Sequence, residues 1–108
     1  MRTLLKLRRN RDKIFGGELF ADPAWDILLE LYAAELGQFR VSVTNLCLGA
    51  AVPATTALRW ISSLQKKRMI ERRSDPMDGR RVFVFLSATG RDAMCRYFKS
   101  VPVGTALI

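Results

Sequence analysis

"ATTALRWISSLQKKRMIERRSDPMDGRRVFVFL", residues 54–86, joins two different hydrophobic periods without a gap. In its first half, apolar residues recur at three- and four-residue spacings. At about 100° per residue, one helix face carries Ala57, Trp60, Ile61 and Leu64. From Met69 onward, apolar and polar residues alternate on both sides of a polar turn, as in a two-stranded hairpin. The stretch therefore predicts a helix that runs directly into a β-hairpin.

A strong amphipathic helix is predicted upstream, over "ADPAWDILLELYAAEL" at residues 21–36. Asp22 is a candidate N-cap and Pro23 occupies the first helical position, where its missing N–H has no partner to lose. Gly37 is the expected C-terminal stop. A short extended piece, "FRV", then leads to Ser42, which is a candidate cap for the next helix.

Between Ser42 and Arg68 the sequence predicts two helices with a break near residues 51–53. Small residues stand where the two helices would cross, at Cys47, Ala51 and Ala57. This spacing is typical of a helix-turn-helix, and an ordinary helical hairpin is the alternative. After the β-hairpin, "ATGRDAMCRYFKS" at residues 88–100 returns to helical spacing, whereas residues 101–108 have no clear period.

The net charge of +8 is segregated along the chain. Residues 1–15 carry six basic groups against one acidic group, and residues 59–81 carry eight against three. Residues 16–58 carry five acidic groups against one basic group. Clustered Lys and Arg favour a polyanion partner because they release counterions from phosphate, although a basic surface can also serve solubility alone.

Composition narrows the class of protein. A length of 108 residues, 49% of them hydrophobic, predicts a single folded domain. The two cysteines are far apart and the chain has no histidine, so we expect free thiols, no metal site, no cofactor and no catalytic activity. The sequence has no signal peptide and no apolar run long enough for a membrane span, which predicts a cytoplasmic protein.

The polar face of the helix predicted at about residues 53–67 fits a major groove. No acidic residue occurs from Pro53 through Arg68. Arg can bind guanine with two hydrogen bonds, while Thr and Ser can reach phosphates or base edges. The residues on or beside this face are Thr55, Thr56, Arg59, Ser62, Ser63, Lys66 and Lys67.

The predicted order of helix, short strand, two helices and hairpin is that of a winged helix-turn-helix, an α+β fold that is mostly α. Residues 54–90 resemble the MarR family of bacterial transcription regulators. That family runs from its recognition helix into Leu-x-x-x-Gly-apolar-Ile-x-Arg, carries Asp-x-Arg in its wing, and follows the wing with Leu-Thr-x-x-Gly. The matching positions are Leu64, Ile70, Arg72, Asp78, Arg80, Leu86, Ser87 and Gly90.

The resemblance implies a role for each matched wing residue. In that family the wing-tip Arg enters the minor groove and the Asp two residues before it holds that Arg. This implies Arg80 as the minor-groove reader and Asp78 as its orienter, although Asp78 could simply form the turn with Gly79. Arg68 stands where the family has Gly, so the helix must either end on a left-handed residue or end elsewhere.

The sequence thus predicts a sequence-specific regulator of double-stranded DNA, with residues 53–67 in the major groove and residues 75–81 in the minor groove. Further phosphate contacts are expected from Arg72, Arg73 and Arg81. The alternatives are a winged-helix adaptor for an acidic protein partner, or a ligand- or redox-responsive sensor of the MarR type whose small-molecule ligand is unknown. Such a regulator would be associated with the nucleoid.

Residues 1–22 are expected to form a basic arm or helix, residues 23–100 the winged-helix domain, and residues 101–108 a tail. Three roles remain open for the first 15 residues. They could contact the DNA backbone through Arg8, Arg9 and Arg11, form a homodimer, or remain a solvated tail.

Overall fold

The computed structural model describes residues 2–16, 22–50 and 52–101, and within these ranges the chain forms five helices and one three-stranded sheet. This confirms the predicted α+β winged-helix order. Ala51 of the predicted helix break and residues 102–108 of the tail lie outside the described residues. The elements are α1 (Arg2–Phe15), α2 (Pro23–Leu36), β1 (Val41–Ser42), α3 (Val43–Gly49), α4 (Ala54–Lys66), β2 (Ile70–Ser74), β3 (Val82–Leu86) and α5 (Ala88–Ser100).

The predicted caps begin α2 and α3. The Asp22 carboxylate accepts a hydrogen bond from the backbone N–H of Trp25 at 3.4 Å, and the Ser42 hydroxyl accepts one from the N–H of Asn45 at 3.1 Å. Gly37 ends α2 as expected, but its φ of −88° is ordinary. The left-handed residue at this helix end is instead Gln38, with a φ of 60°.

Helix α4 packs on the core through Ala57, Ile61 and Leu64, all of them buried. The expectation that Trp60 shares this buried face is wrong, because its side chain remains 39% exposed. On a regular helix, Trp60 lies about 60° around the axis from Ala57 and so falls at the margin of the narrow buried stripe. The predicted break before α4 is confirmed, and Pro53 occupies its N-cap position.

The sheet has the order β1-β3-β2 and is antiparallel throughout. Val84, in the central strand, pairs with Val41 on one side and Arg72 on the other, and its side chain faces the core. The opposite face carries Phe83 and Phe85, and cations cover it. The Arg40 guanidinium lies 4.5 Å from the ring centre of Phe83, and the Arg73 guanidinium lies 4.8 Å from that of Phe85.

One continuous core joins all five helices and the sheet. Helix α1 packs on it through Leu4, which is buried, so the first 15 residues are not a solvated tail. The remaining core residues are Ile27, Leu29, Leu31, Leu46, Ile61, Leu64, Ile70, Val84, Leu86 and Met94.

The segment that follows α4 is locked to the start of α5. The Ser87 hydroxyl donates to the Arg68 carbonyl at 2.6 Å, and the Ser87 N–H donates to the Met69 carbonyl at 3.0 Å. The same hydroxyl caps α5 by accepting from the Gly90 N–H at 2.9 Å. Arg68 has a φ of 61°, so α4 ends on a left-handed arginine where the family has glycine.

Gly90 is required at this junction because a Cβ there would lie 2.1 Å from the Met69 carbonyl oxygen. Backbone cannot move aside as a flexible side chain can, so Gly90→Ala should lower the free energy of unfolding by about 2 kcal/mol or more. Gly79→Ala is the matched control, since a Cβ at Gly79 meets nothing within 4 Å. Urea denaturation of both variants measures the difference, and equal stabilities would contradict this reading of the junction.

The left-handed backbone at Arg68 should cost stability. A residue with a Cβ pays about 1–2 kcal/mol there, and glycine avoids this at the expense of a more flexible unfolded chain. We therefore expect Arg68→Gly to raise the free energy of unfolding by about 0.5–1 kcal/mol. Arg68→Ala removes the same charge but keeps the Cβ, so it should leave stability nearly unchanged. If Arg68→Ala stabilised the protein as much as Arg68→Gly, the effect would come from the loss of charge and not from the backbone.

Candidate nucleic-acid interface

The outer face of α4 is hydroxylic and basic. Thr55, Arg59, Ser62 and Lys66 are exposed there, with Lys67 following the last turn, while Thr56 and Ser63 are half-buried at its edges. The exposed flank of Trp60 borders Arg59. The structure thus brings the seven predicted residues of this helix together on one side of the molecule, away from the core.

Arg72 connects the hairpin to this helix. Its guanidinium donates to the Ser62 hydroxyl at 2.9 Å, and its side chain is half-buried between β2 and α4. Arg73, one residue further along β2, points to the other face, where it pairs with Glu71 at 2.9 Å and covers Phe85. The two adjacent arginines therefore occupy different surroundings, although their positions in the sequence predict the same role for both.

The hairpin turn is held by two aspartates that act in the same way. The Asp75 carboxylate accepts from the Met77 N–H at 2.8 Å, and the Asp78 carboxylate accepts from the Arg80 N–H at 3.1 Å. The turn is closed by the Asp75 N–H, which donates to the Arg81 carbonyl at 2.9 Å. These bonds make the turn an ordered structure rather than a loose loop.

Asp78 also contacts the side chain that the resemblance assigns to it. Its Oδ1 accepts from Nε of Arg80 at 3.3 Å, while 94% of the Arg80 side chain remains exposed. Asp78 therefore forms the turn and orients Arg80 at once, so the two readings of this residue are compatible. An exposed pair of this kind adds little stability and leaves the guanidinium open to a ligand.

A concave surface of about 1040 Å³ lies between this turn and the start of α3. Its charge is strongly positive, because four guanidinium groups face one carboxylate. The polar residues that line it are Arg40, Ser42, Thr44, Asn45, Arg72, Asp78, Arg80 and Arg81.

Arg40, Thr44 and Asn45 were not among the predicted site residues. Arg40 had a usable signal, since it is the single basic residue in the acidic segment 16–58 and directly precedes the strand β1. Nothing in the sequence indicated that Thr44 and Asn45 belong to the site, because polar residues are common in the first turn of a helix. Only the folded sheet brings Arg40 over Phe83 and beside the hairpin turn.

Three arginines of α1, Arg8, Arg9 and Arg11, have partners within the protein, although Arg9 remains more than half exposed. Arg8 is buried and donates to the Asp26 carboxylate through Nε at 2.8 Å, and Arg9 pairs with Glu30. Arg11 is half-buried and also has a partner. Burial and pairing make Arg8 unavailable to phosphate, which corrects its inclusion in a DNA-backbone arm.

Both cysteines are free and half-buried. Desolvation raises the pKa of the Cys47 thiol, and the nearby charge of Arg72 opposes that rise only partly. The Tyr32 hydroxyl and the Cys95 sulfur lie 3.7 Å apart, and this contact, with burial, raises the pKa of Tyr32. A thiol with a raised pKa is a poorer nucleophile at neutral pH, so Cys47 fits packing better than redox chemistry.

The described residues form neither a metal-binding cluster nor a membrane-spanning helix. Among residues 2–16, 22–50 and 52–101, no cluster of three or more His, Cys, Asp or Glu side chains is placed to hold a metal ion. Over the same ranges, no helix is long and apolar enough to cross a membrane.

Neither the protein-family models nor the curated proteins include a match to this chain. Solved structures do match. The complex of MepR from S. aureus with DNA superposes with a TM-score of 0.65 at 17% identity, covering 92% of this chain and 73% of that one. A mutant MepR from a multidrug-resistant S. aureus clinical isolate gives a TM-score of 0.64 at 22% identity and covers 76% of this chain. The heme sensor protein PefR from Streptococcus agalactiae, in complex with heme, gives 0.63 at 16% identity and covers 91%.

These neighbours are longer than the present chain, which spans 57% of the mutant MepR chain and 65% of the PefR chain. MepR and PefR are winged-helix regulators of the MarR family. Identities of 16–22% carry the likeness at the level of fold. The chain therefore shares the fold of these solved structures, which is a winged helix.

Proposed function

We propose that this protein is a sequence-specific regulator of transcription that binds double-stranded DNA on the nucleoid. The observation that carries the proposal is the continuity of positive charge from α4 to the hairpin turn. Arg72 belongs to both parts, since it bonds to Ser62 of α4 and lines the concave surface with Arg80 and Arg81. A folded surface of this kind matches the phosphate spacing of a duplex better than scattered charge would.

In the proposed complex, α4 lies in the major groove. Thr55, Thr56 and Arg59 face base edges, where an Arg can distinguish guanine by two hydrogen bonds. Arg80 enters the minor groove, where negative potential is concentrated. The phosphate contacts are Arg40, Thr44, Asn45, Ser62, Ser63, Lys66, Lys67, Arg72, Arg73 and Arg81.

The likeness to MepR supports this proposal, because that protein has been solved bound to DNA in the same fold. The heme in the PefR structure is a property of PefR and is not assigned to this chain. An adaptor that binds an acidic protein would use the same basic surface. Substitution of Arg59 and Arg80 distinguishes DNA binding from binding of an acidic protein. DNA binding should require both arginines, whereas a protein partner need not depend on both.

Fluorescence anisotropy with a random duplex at two salt concentrations tests the function. We expect binding that weakens steeply with salt, and a loss of more than about tenfold in affinity for the double variant Arg59→Ala with Arg80→Ala. Both side chains are exposed, so the melting temperature should not change. Arg96→Ala is the matched control, since Arg96 is an exposed arginine on α5 that pairs with Asp92. Binding that is indifferent to salt, or equal losses in both variants, would contradict the proposal.

The proposal includes a homodimer formed through α1. Leu7, Ile14 and Phe15 are exposed by 47%, 68% and 58%, and Leu7 and Ile14 stand seven residues apart on one helix face. Asn10 and Arg11 lie between Leu7 and Ile14 on this face, so the apolar stripe is interrupted; the other side of the helix is packed, which favours a second copy as the cover of this stripe. A symmetric dimer would read two half-sites about 10 base pairs apart, which selection from a random duplex pool would reveal as a palindrome.

Sedimentation equilibrium tests the dimer. Ile14→Lys places a charge in the stripe and should convert a dimer to a monomer, while the fold is kept because the side chain is exposed. Leu36→Lys is the matched control, an equally apolar side chain that is 60% exposed at the end of α2. A monomeric mass for the unsubstituted protein at all concentrations would overturn this part of the proposal.

A further inference from the structure

Met77 stands at the tip of the hairpin turn with 93% of its side chain exposed, the highest exposure among the large apolar residues that the structure describes. A single exposed apolar side chain is ordinary on a protein surface and by itself indicates nothing. The position of Met77 is what distinguishes it. It lies three residues before Arg80, on the part of the surface where a charged or polar residue would be the neutral choice.

The backbone of the turn presents Met77 and Arg80 by the same device. Asp75 accepts from the N–H two residues ahead, at Met77, and Asp78 accepts from the N–H two residues ahead, at Arg80. Each carboxylate therefore fixes the backbone from which one side chain projects. Pro76 fixes its own φ immediately before Met77, which further restricts the backbone of the turn.

The base of the turn is equally constrained. The Arg81 N–H donates to the Asp78 carbonyl at 3.0 Å, and the Asp75 N–H donates to the Arg81 carbonyl at 2.9 Å. Strand β3 continues directly into the core through Val84 and Leu86. The backbones of Met77 and Arg80 are thus held three residues apart on one support, and both side chains are almost fully exposed at the tip of the turn.

We infer that Met77 enters the minor groove beside Arg80 and is an apolar contact to the DNA, an inference that rests on the proposed function. The walls of that groove are deoxyribose C–H groups, against which an apolar chain loses its hydration at no electrostatic cost. Apolar side chains, Met among them, serve in minor grooves as wedges against base steps. An unbranched thioether adapts its shape to such a surface, while Arg80 supplies the charge.

Substitutions at Met77 and Arg80 distinguish an apolar contact to DNA from an electrostatic one. Met77→Ala should weaken binding about threefold to tenfold at fixed salt and leave the salt dependence unchanged, because no charge is lost. Arg80→Ala should weaken binding and also reduce the salt slope by about one. Met77→Leu should retain most of the affinity, whereas Met77→Gln, similar in length but polar, should not. Leu36→Ala is the matched control for removal of an exposed apolar side chain, and it should change nothing.

Oxidation of the methionine gives a second, direct readout. Dilute hydrogen peroxide converts an exposed Met to its sulfoxide, and mass spectrometry of peptides measures the rate at Met77. Saturating duplex should slow oxidation at Met77 at least several-fold. Met94 is buried with or without DNA and serves as an internal reference.

The outcomes are distinguishable. If the unsubstituted protein does not bind duplex in a salt-dependent manner, the proposed function and the role of Met77 both fail. If it binds, and Arg59→Ala with Arg80→Ala abolishes binding, the function stands on its own. Within that result, an affinity unchanged in Met77→Ala or in Met77→Gln, or an oxidation rate unchanged by DNA, would overturn the role of Met77 alone.

Discussion

The bond between the Ser87 hydroxyl and the Arg68 carbonyl is the constraint on which the candidate interface depends. It ties the end of α4 to the start of α5, while the missing Cβ of Gly90 lets α5 approach the Met69 backbone. Because β2 begins one residue later, at Ile70, this single junction sets the position of the hairpin relative to α4. The two surfaces of the proposed DNA interface are therefore oriented by backbone contacts, which tolerate less variation than side-chain packing does.

Arginine has two separate uses in the sheet. Arg40 lies on the ring of Phe83, which is buried, and Arg73 lies on the ring of Phe85, which is half-buried. Contacts of this kind are worth about 0.5–1 kcal/mol each at exposed sites, so they stabilise the hairpin without fixing the cations firmly. Arg80, by contrast, makes a weak exposed pair with Asp78. Moving Arg40 or Arg73 away from its aromatic ring costs more free energy than moving Arg80, which is already exposed to solvent. The sequence alone does not show this difference.

Most of the fold could be predicted because it depends on residues that are close together in sequence. The site was harder to predict because it depends on which distant residues each side chain contacts. Asp22 and Ser42 as caps, the alternation of the hairpin and the departure at Arg68 depend on neighbours in sequence, and each was confirmed. Trp60 stays exposed because the buried stripe of α4 is narrower than the apolar face of the helix, and the left-handed residue after α2 is Gln38 rather than Gly37; neither was predicted. The destination of Arg8 was missed because a basic helix does not reveal which carboxylates it will meet. Arg40 joined the site only when β1 paired with β3.

The pairing of α2 with its neighbours has a kinetic consequence. Three of its carboxylates, Asp26, Glu30 and Glu35, are matched by Arg8, Arg9 and Arg91, so the acidic segment contributes little net field. The hairpin and α4 then carry most of the uncompensated charge of a chain whose total is +8. Such an asymmetric distribution gives the molecule a dipole that rotates it during diffusion, within about 10 Å of a polyanion at 0.1 M salt. The basic surface of α4 and the hairpin would therefore face the polyanion when the two molecules meet, and the rate of association would rise before any base is contacted.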